Sequence, residues 1–225
     1  MTKEVHYSDL KAFCLNLGIE AFGVADISSI RRKLMFGEGT LAKVDKAISL
    51  GVGLSSAVLE DIEQAPTRLY FHHYKTANMF LDQCAFKVSS FLQQKGFRAI
   101  PIPASVIVDW QNQKGHCSHK EIALLAGLGW IGRNNLLVHP VFGSRLRLAT
   151  ILTDIPVDTD KPQSADCAEC FACVAACPAA AIKPNPQEFD HLRCFEQLKA
   201  FQKQRLVDQY ICGVCVNACR GPKKD

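Results

Sequence analysis

Eleven cysteines occur in this chain, and eight of them fall between Cys167 and Cys219. Cys167, Cys170, Cys173 and Cys177 are separated by two, two and three residues, and Pro178 follows at once. A second run, Cys212, Cys215 and Cys219, has spacings of two and three, with Cys194 upstream. The first run has the spacing of bacterial ferredoxins. Three thiolates on one tight loop can hold three corners of an iron–sulfur cubane. The fourth cysteine opens the next segment and points to a second cluster, and the proline redirects the chain. By that crossover rule Cys167, Cys170, Cys173 and Cys219 hold one 4Fe–4S cluster, and Cys177, Cys194, Cys212 and Cys215 hold the other. Every cysteine of the region is then used.

Structural zinc is the rival reading, because four cysteines also suit zinc. Zinc ribbons pair two CxxC knuckles per metal, and the CxxCxxCxxxCP run is rare among them. Disulfides fit poorly, since a CxxCxxC loop leaves little room for their geometry. Cys14, Cys84 and Cys117 stand apart. Cys14 and Cys84 lie on apolar helix faces, where a free thiol packs as a small hydrophobe.

The scaffold for these ligands is read from pattern and composition. The chain has 225 residues, 48% of them hydrophobic, a formal net charge of +4 and a pI near 8.5. This mild basicity does not point to nucleic acid, and the clusters Arg31-Arg32-Lys33 and Lys223-Lys224 read as solvated surface. Met1 to Leu10 has no apolar signal core. No apolar run follows Arg31-Arg32, and none approaches a membrane span. The expectation is a cytoplasmic protein with no membrane partner.

Ser8 is expected to cap a helix running to Leu17 and ended by Gly18. Ile19–Ala25 and Ala47–Leu54 read as strands, with a short helix after Asp26. Leu69, His73, Thr76, Phe80, Cys84, Val88 and Phe91 recur at helical spacing, which predicts a long helix over Thr67–Gln94 ended by Gly96. Phe97–Ile102 reads as a strand. Ser118 and Glu121 form a capping box for a helix to Ala126, closed by Gly127. Leu136–Val138 and Leu146–Thr153 are further strands. Alternating elements predict an α/β (α+β) layered domain over residues 1–157. The polar stretch Asp158–Ser164 marks the boundary, and residues 158–225 are expected to form a small bacterial-type, two-cluster ferredoxin domain.

Gly127, Gly129 and Gly132 match a GxGxxG pattern, and Asp154 lies about twenty residues on, as a ribose-binding acid would. The order of elements is wrong, however: a helix precedes the glycines and extended residues follow. What remains is that glycines let backbone approach a flat or bulky ligand.

The run Ala126-Gly127-Leu128-Gly129-Trp130-Ile131-Gly132-Arg133-Asn134-Asn135-Leu136-Leu137, the triplet Leu152-Thr153-Asp154 and the cysteine order including Cys194 together resemble the epoxyqueuosine reductase family. The resemblance is good over most of residues 95–220 and loose before them. It implies a cobalamin-dependent reductase, related to the reductive dehalogenases. Electrons would pass through two clusters to cobalt, and an acid would supply a proton to the reduced substrate. It also implies an electron donor protein such as a ferredoxin, flavodoxin or reductase.

Two departures qualify this. Asp109 is the nearest counterpart of the family's aspartate, in a different local setting. The chain also stops soon after Cys219, with Arg220 where proline would stand, so a short form lacking the C-terminal tRNA-binding region is expected. The scaffold carries over better than tRNA does as substrate.

From the resemblance Ser105, His119, Gly129, Trp130, Gly132, Arg133 and Asn134 are assigned to the corrinoid, and Asp109 to proton donation. As an acid Asp109 would need burial to raise its pKa, and Trp110 beside it points to a partly closed environment. His116 and His119 are further proton donors or pocket residues. His73 reads as a core histidine. The alternative function is a non-enzymatic two-cluster electron carrier, or an activator that reduces a corrinoid on another protein. A zinc-stabilised binding module is the third reading.

Overall fold

A computed structural model describes residues 4–222. Lys223-Lys224 and the first three residues of the N-terminal stretch lie outside them. The first half of the chain carries α1 (Tyr7–Asn16), β1 (Ala21–Asp26), α2 (Glu38–Leu41), β2 (Lys46–Gly53), α3 (Ser56–Glu60), α4 (Arg68–Gln94) and β3 (Ala99–Ile102). Then follow α5 (His119–Leu125), β4 (Trp130–Ile131), β5 (Leu137–Val138), β6 (Leu146–Thr153), α6 (Ala172–Ala176), α7 (His191–Lys203) and α8 (Val214–Ala218).

Two compact units interleave along the chain. The first is drawn from Met1–Val52, Ala77–Leu128 and Arg147–Gln163, the second from Gly53–Thr76, Gly129–Leu146 and Ser164–Asp225. The last passage between them falls at the end of the polar stretch 158–164. That stretch is strapped to the first unit: the Asp160 carboxylate accepts from the Tyr7 hydroxyl at 2.9 and 3.1 Å and from the Val24 amide at 2.8 Å. Burial and Asp160 together raise the pKa of the Tyr7 phenol.

The first unit is a mixed α/β layer. Its sheet has the order β1-β2-β6-β3. β1 and β2 are antiparallel, from Ala21 opposite Gly51 to Asp26 opposite Lys46, and β3 runs antiparallel to β6. Pro101 sits in edge strand β3, where a missing N–H is tolerated. Helices α1 and α5 pack against β1, whose residues Ala21–Ala25 are all buried. The core gathers Leu10, Cys14, Val24, Ile48, Leu50, Leu81, Val88 and Ile151. Cys14 and Cys84 pack there as expected, and burial pushes the Cys14 thiol up to about 12.

Local readings differ from the structure in three places. The N-cap of α1 is His6 without a side-chain bond, so Ser8 lies inside the helix. The segment after Asp26 makes a 3-10 turn at Arg31–Lys33. In α4 the buried face runs through Tyr70, Tyr74, Ala77, Leu81, Cys84, Val88 and Leu92, one position round from the expected stripe, and Leu69 is 57% exposed. The α5 capping box is half made. Ser118 Oγ accepts from the Glu121 amide at 3.3 Å, while the Glu121 carboxylate pairs with Lys33.

The second unit contains the β4–β5 pair and the helices of the cysteine region. Helix α8 packs against α6 and α3. No helix among the described residues is long and apolar enough to cross a membrane.

Candidate metal centre

The two cysteine runs fold alike. Cys170, Cys173 and Cys177 bracket α6 as Cys212, Cys215 and Cys219 bracket α8, and both helices are five residues long. The first loop is tightened by the Cys170 amide donating to Cys167 O at 2.9 Å. Ala168 adopts a left-handed φ of 39° there, with its amide on Asp166. Gly213 starts α8 at φ 86°, and a side chain on it would collide with Tyr70 and Ile62. Cys194 rides on α7, whose first turn is capped by the Asp190 carboxylate accepting from the Arg193 amide at 2.9 Å.

All eleven cysteines are free thiols. Four of the eight are shifted by neighbouring cysteines of the region. Cys173 is affected by Cys219, Cys167 and Cys170. Cys194 is affected by Cys177, and Cys212 by Cys194 and Cys177. Cys215 is affected by Cys212, Cys194 and Cys177, and also by Cys173 of the other group. These neighbours bring the two cysteine runs together, and Cys215 has neighbours in both fours. Burial, then these neighbours, pushes Cys173 up to about 11; burial does the same for Cys212 and raises Cys215 further. Such crowded thiols remain protonated unless a multivalent cation stabilises the thiolates. No group of three or more His, Cys, Asp or Glu among the described residues converges as a single-ion site. A cubane has a different demand, since each thiolate binds its own iron.

The glycine-rich motif buttresses this centre. Arg133 Nε donates to Pro184 O at 2.7 Å, Nη1 to Cys170 O at 3.2 Å and Nη2 to Ala168 O at 2.9 Å. Its guanidinium also lies 4.3 Å from the Phe171 ring centre. A side chain on Gly132 would meet Val138 at 2.6 Å and the Cys167 sulfur at 3.4 Å; one on Gly129 would strike the Val138 carbonyl. Asn134 is buried, donating to Ser144 Oγ and accepting from the Leu136 amide. Of the residues that the resemblance assigns to the corrinoid, Arg133 and Asn134 have side chains bonded within the protein, and Gly129 and Gly132 lie against Val138. Trp130 is the exception: it is 7% exposed and its Nε1 has no hydrogen-bond partner.

Arg145 was missed by sequence reasoning. It is 7% exposed and donates from Nε and Nη2 to Asn217 O, from Nη2 to Asn217 Oδ1 and from Nη1 to Ser56 Oγ. Asn217 in turn donates to Ile62 O. An arginine in the apolar run Leu146–Thr153 and its lead-in was the available signal.

Ser105, Asp109 and His119 belong to the first unit, the rest of the corrinoid set to the second. A cavity of about 190 Å³ in the first unit is lined by Ser105, Ile107, Gln113, His116, Cys117 and His119. His119 lies 2.9 Å from Pro103 O through Nε2 and 2.8 Å from Thr150 Oγ1 through Nδ1. A carbonyl only accepts, so Nε2 carries the proton and Nδ1 accepts from Thr150. Burial pushes its pKa down to about 4. His119 is thus a neutral strut with both nitrogens engaged. Gln113 Oε1 is buried without a partner.

The setting of Asp109 is open rather than closed. Trp110 is 61% exposed. Asp109 pairs with Lys114 across a short backbone bridge, and Asn112 donates to its carboxylate from side chain and backbone, which holds its pKa below the ordinary value. A larger cavity, about 630 Å³, lies at Thr40, Lys43, Gln93, Phe97 and Arg98 and includes none of these residues.

No family model matches the chain. A solved reductive dehalogenase, described with a mechanism for B12-dependent dehalogenation, superimposes with a TM-score of 0.65 at 20% identity over 79% of this chain and 25% of its own. An epoxyqueuosine reductase bound to an epoxyqueuosine-modified tRNA stem loop gives 0.62 at 18% identity, over 96% and 66%. The Bacillus subtilis epoxyqueuosine reductase, described with its catalytic aspartate loop swung out of the active site, gives 0.64 at 20% identity, over 94% and 64%. The fold is therefore one shared by reductive dehalogenases and epoxyqueuosine reductases.

In sequence, the epoxyqueuosine reductase of Synechococcus sp. (strain CC9605) is 32% identical over 64% of this chain and 43% of its own length. That of Cyclobacterium marinum is 24% identical over 97% and 79%. The chain is thus similar in sequence to epoxyqueuosine reductases. It spans a third or less of the length of the first curated relatives that it matches.

Proposed function

We propose that this chain is an oxidoreductase that binds two 4Fe–4S clusters and a cobalamin, and that it reduces an organic substrate with electrons from a donor protein. The observation that carries the proposal is the spacing of the eight cysteines, with the two runs set on the packed helices α6 and α8. Their loops fit the clusters: one short turn supplies three thiols, and the paired helices α6 and α8 exchange the fourth. When bound, the clusters supply one-electron storage and transfer, and the corrinoid supplies the reducing centre. Cys167, Cys170, Cys173 and Cys219 hold one cluster; Cys177, Cys194, Cys212 and Cys215 hold the other. The segment Cys167–Cys219 is then the working part of a ferredoxin-like module.

For the corrinoid, support comes from the B12-dependent dehalogenase that shares the fold. In the second unit the buried Trp130 Nε1 is a donor without a partner. Ser105 lines the cavity beside Gln113. Asp109 is proposed as proton donor by analogy with the relative's aspartate loop. In the present arrangement Asn112 keeps it a carboxylate, so protonation requires that contact to open. The related enzyme with a bound tRNA stem loop makes tRNA a substrate to test. Reduced, unpaired cysteines suit the cytoplasm.

One observation favours the second reading, a two-cluster carrier or an activator of a corrinoid on another protein. The 190 Å³ cavity beside His119 is too small for a corrin ring.

The test is anaerobic reconstitution followed by cobalamin titration, read by visible absorption and EPR. About eight irons per chain are expected from two cubanes. Zinc uptake in their place would sink the cluster assignment. A changed cobalt spectrum on titration supports the reductase. Intact clusters with no cobalamin binding would leave the carrier.

A further inference from the structure

We infer that Arg133 is a positioning residue that tunes the cluster held by Cys167, Cys170, Cys173 and Cys219; the inference rests on the cluster reading above. Three of its nitrogens are fixed on carbonyls, and two of those, Ala168 O and Cys170 O, belong to the loop that carries the thiols. The third, Pro184 O, lies on the segment that leaves the loop. Stacking on Phe171 fixes the plane of the fork. The hold has a local cost, because Ala168 is kept in left-handed backbone at φ 39°.

A trans peptide points its C=O and N–H in opposite directions. Drawing Ala168 O and Cys170 O onto the guanidinium therefore aims the Glu169 and Phe171 amides away from Arg133. Among the described residues neither amide donates to a backbone carbonyl. Both are free to donate to cluster sulfides within the loop. Amide donors and a nearby cation favour the reduced cluster, which carries one more negative charge, so they raise its potential. Lysine would keep the charge but cannot bridge three carbonyls with a planar fork.

The experiment is an EPR-monitored redox titration of the iron-reconstituted full chain, comparing wild type, Arg133→Lys and Arg133→Met. Each is repeated in a Cys212→Ala background, which leaves only the cluster on this loop. We expect Arg133→Lys to shift the midpoint of that cluster to more negative potential while the other cluster stays at its wild-type value. Arg133→Met should shift it further, or lose about four of eight irons. If the methionine variant fails to fold by circular dichroism, the lysine variant carries the test alone. Unmoved potentials in Arg133→Lys with full iron would overturn the proposal. A wild type without clusters would overturn the cluster reading itself, and this is seen before any variant is made.

Discussion

The guanidinium of Arg145 grips Asn217 in the last turn of helix α8, with Nη2 2.9 Å from Asn217 Oδ1 and Nε 3.1 Å from Asn217 O. A helix end leaves carbonyls without intrahelical partners, and here a buried cation satisfies one. Asn217 lies between Cys215 and Cys219, so the grip fixes a ligand of each proposed cluster. Arg145→Met should leave the Asn217 carbonyl unpaired in a half-buried place. The expected loss is about 2–3 kcal/mol, or roughly 5–10 °C in thermal unfolding of a chain this size. An unchanged midpoint would mean the bonds are replaced by water.

The crossover makes a counting prediction. Cys219 is nearer in sequence to Cys215, yet the crossover assigns it to the cluster of Cys167, Cys170 and Cys173. Cys170→Ala with Cys219→Ala removes two ligands of one cluster and should leave about four irons. Cys170→Ala with Cys215→Ala strikes both clusters and should leave few. Equal iron in the two double variants would contradict the sorting.

Much of this was legible in the residues themselves. Strand Leu146–Thr153 was read with its observed bounds, because a β-rich apolar run bounded by turn residues has little else to become. The Ser118 cap was legible from local spacing. The role of the glycine motif was not. Its residue types fit a ligand-binding turn, but the partners of Arg133 lie 35 to 51 positions away. No local pattern says that an arginine will be used on distant backbone. Asp109 shows the same limit: Trp110 beside it says nothing of solvent exposure until the chain is folded. The stripe of α4 was one position out because Leu69 and Phe80 sit at its margins, and an apolar side chain there is tolerated on either side.

Three glycines should rank by what surrounds them. A side chain on Gly143 would collide with the backbone of Cys219 and Gly221, and its φ of 60° is left-handed. Gly143→Ala should cost about 3 kcal/mol or more. Gly132→Ala meets a movable Val138 methyl and the Cys167 sulfur, at about 1–3 kcal/mol. Gly39, within α2, has nothing within 4 Å. Gly39→Ala should stabilise by about 0.5–1 kcal/mol. Urea unfolding of the three variants checks the order, and a tolerated Gly143→Ala would break it.

His119 predicts the acid limb of stability. Its folded pKa is depressed from 6.5 to about 4 by burial, with Arg147 adding to the effect. The unfolded chain therefore binds this proton near pH 6.5, while the folded chain resists it until near pH 4. Stability from the neutral strut is present above pH 6.5 and is lost as pH falls toward 4, on the order of 3 kcal/mol in total. His119→Gln keeps an acceptor and a donor but does not titrate. It should flatten the stability profile between pH 4 and 7 by about that amount, while starting lower at pH 7.5 because the bridge from Pro103 to Thr150 is less well spanned. Chemical denaturation at intervals of pH measures both curves. Parallel curves for the two proteins would show that His119 takes up its proton equally in the folded and unfolded chain, so that Pro103 and Thr150 do not hold it neutral.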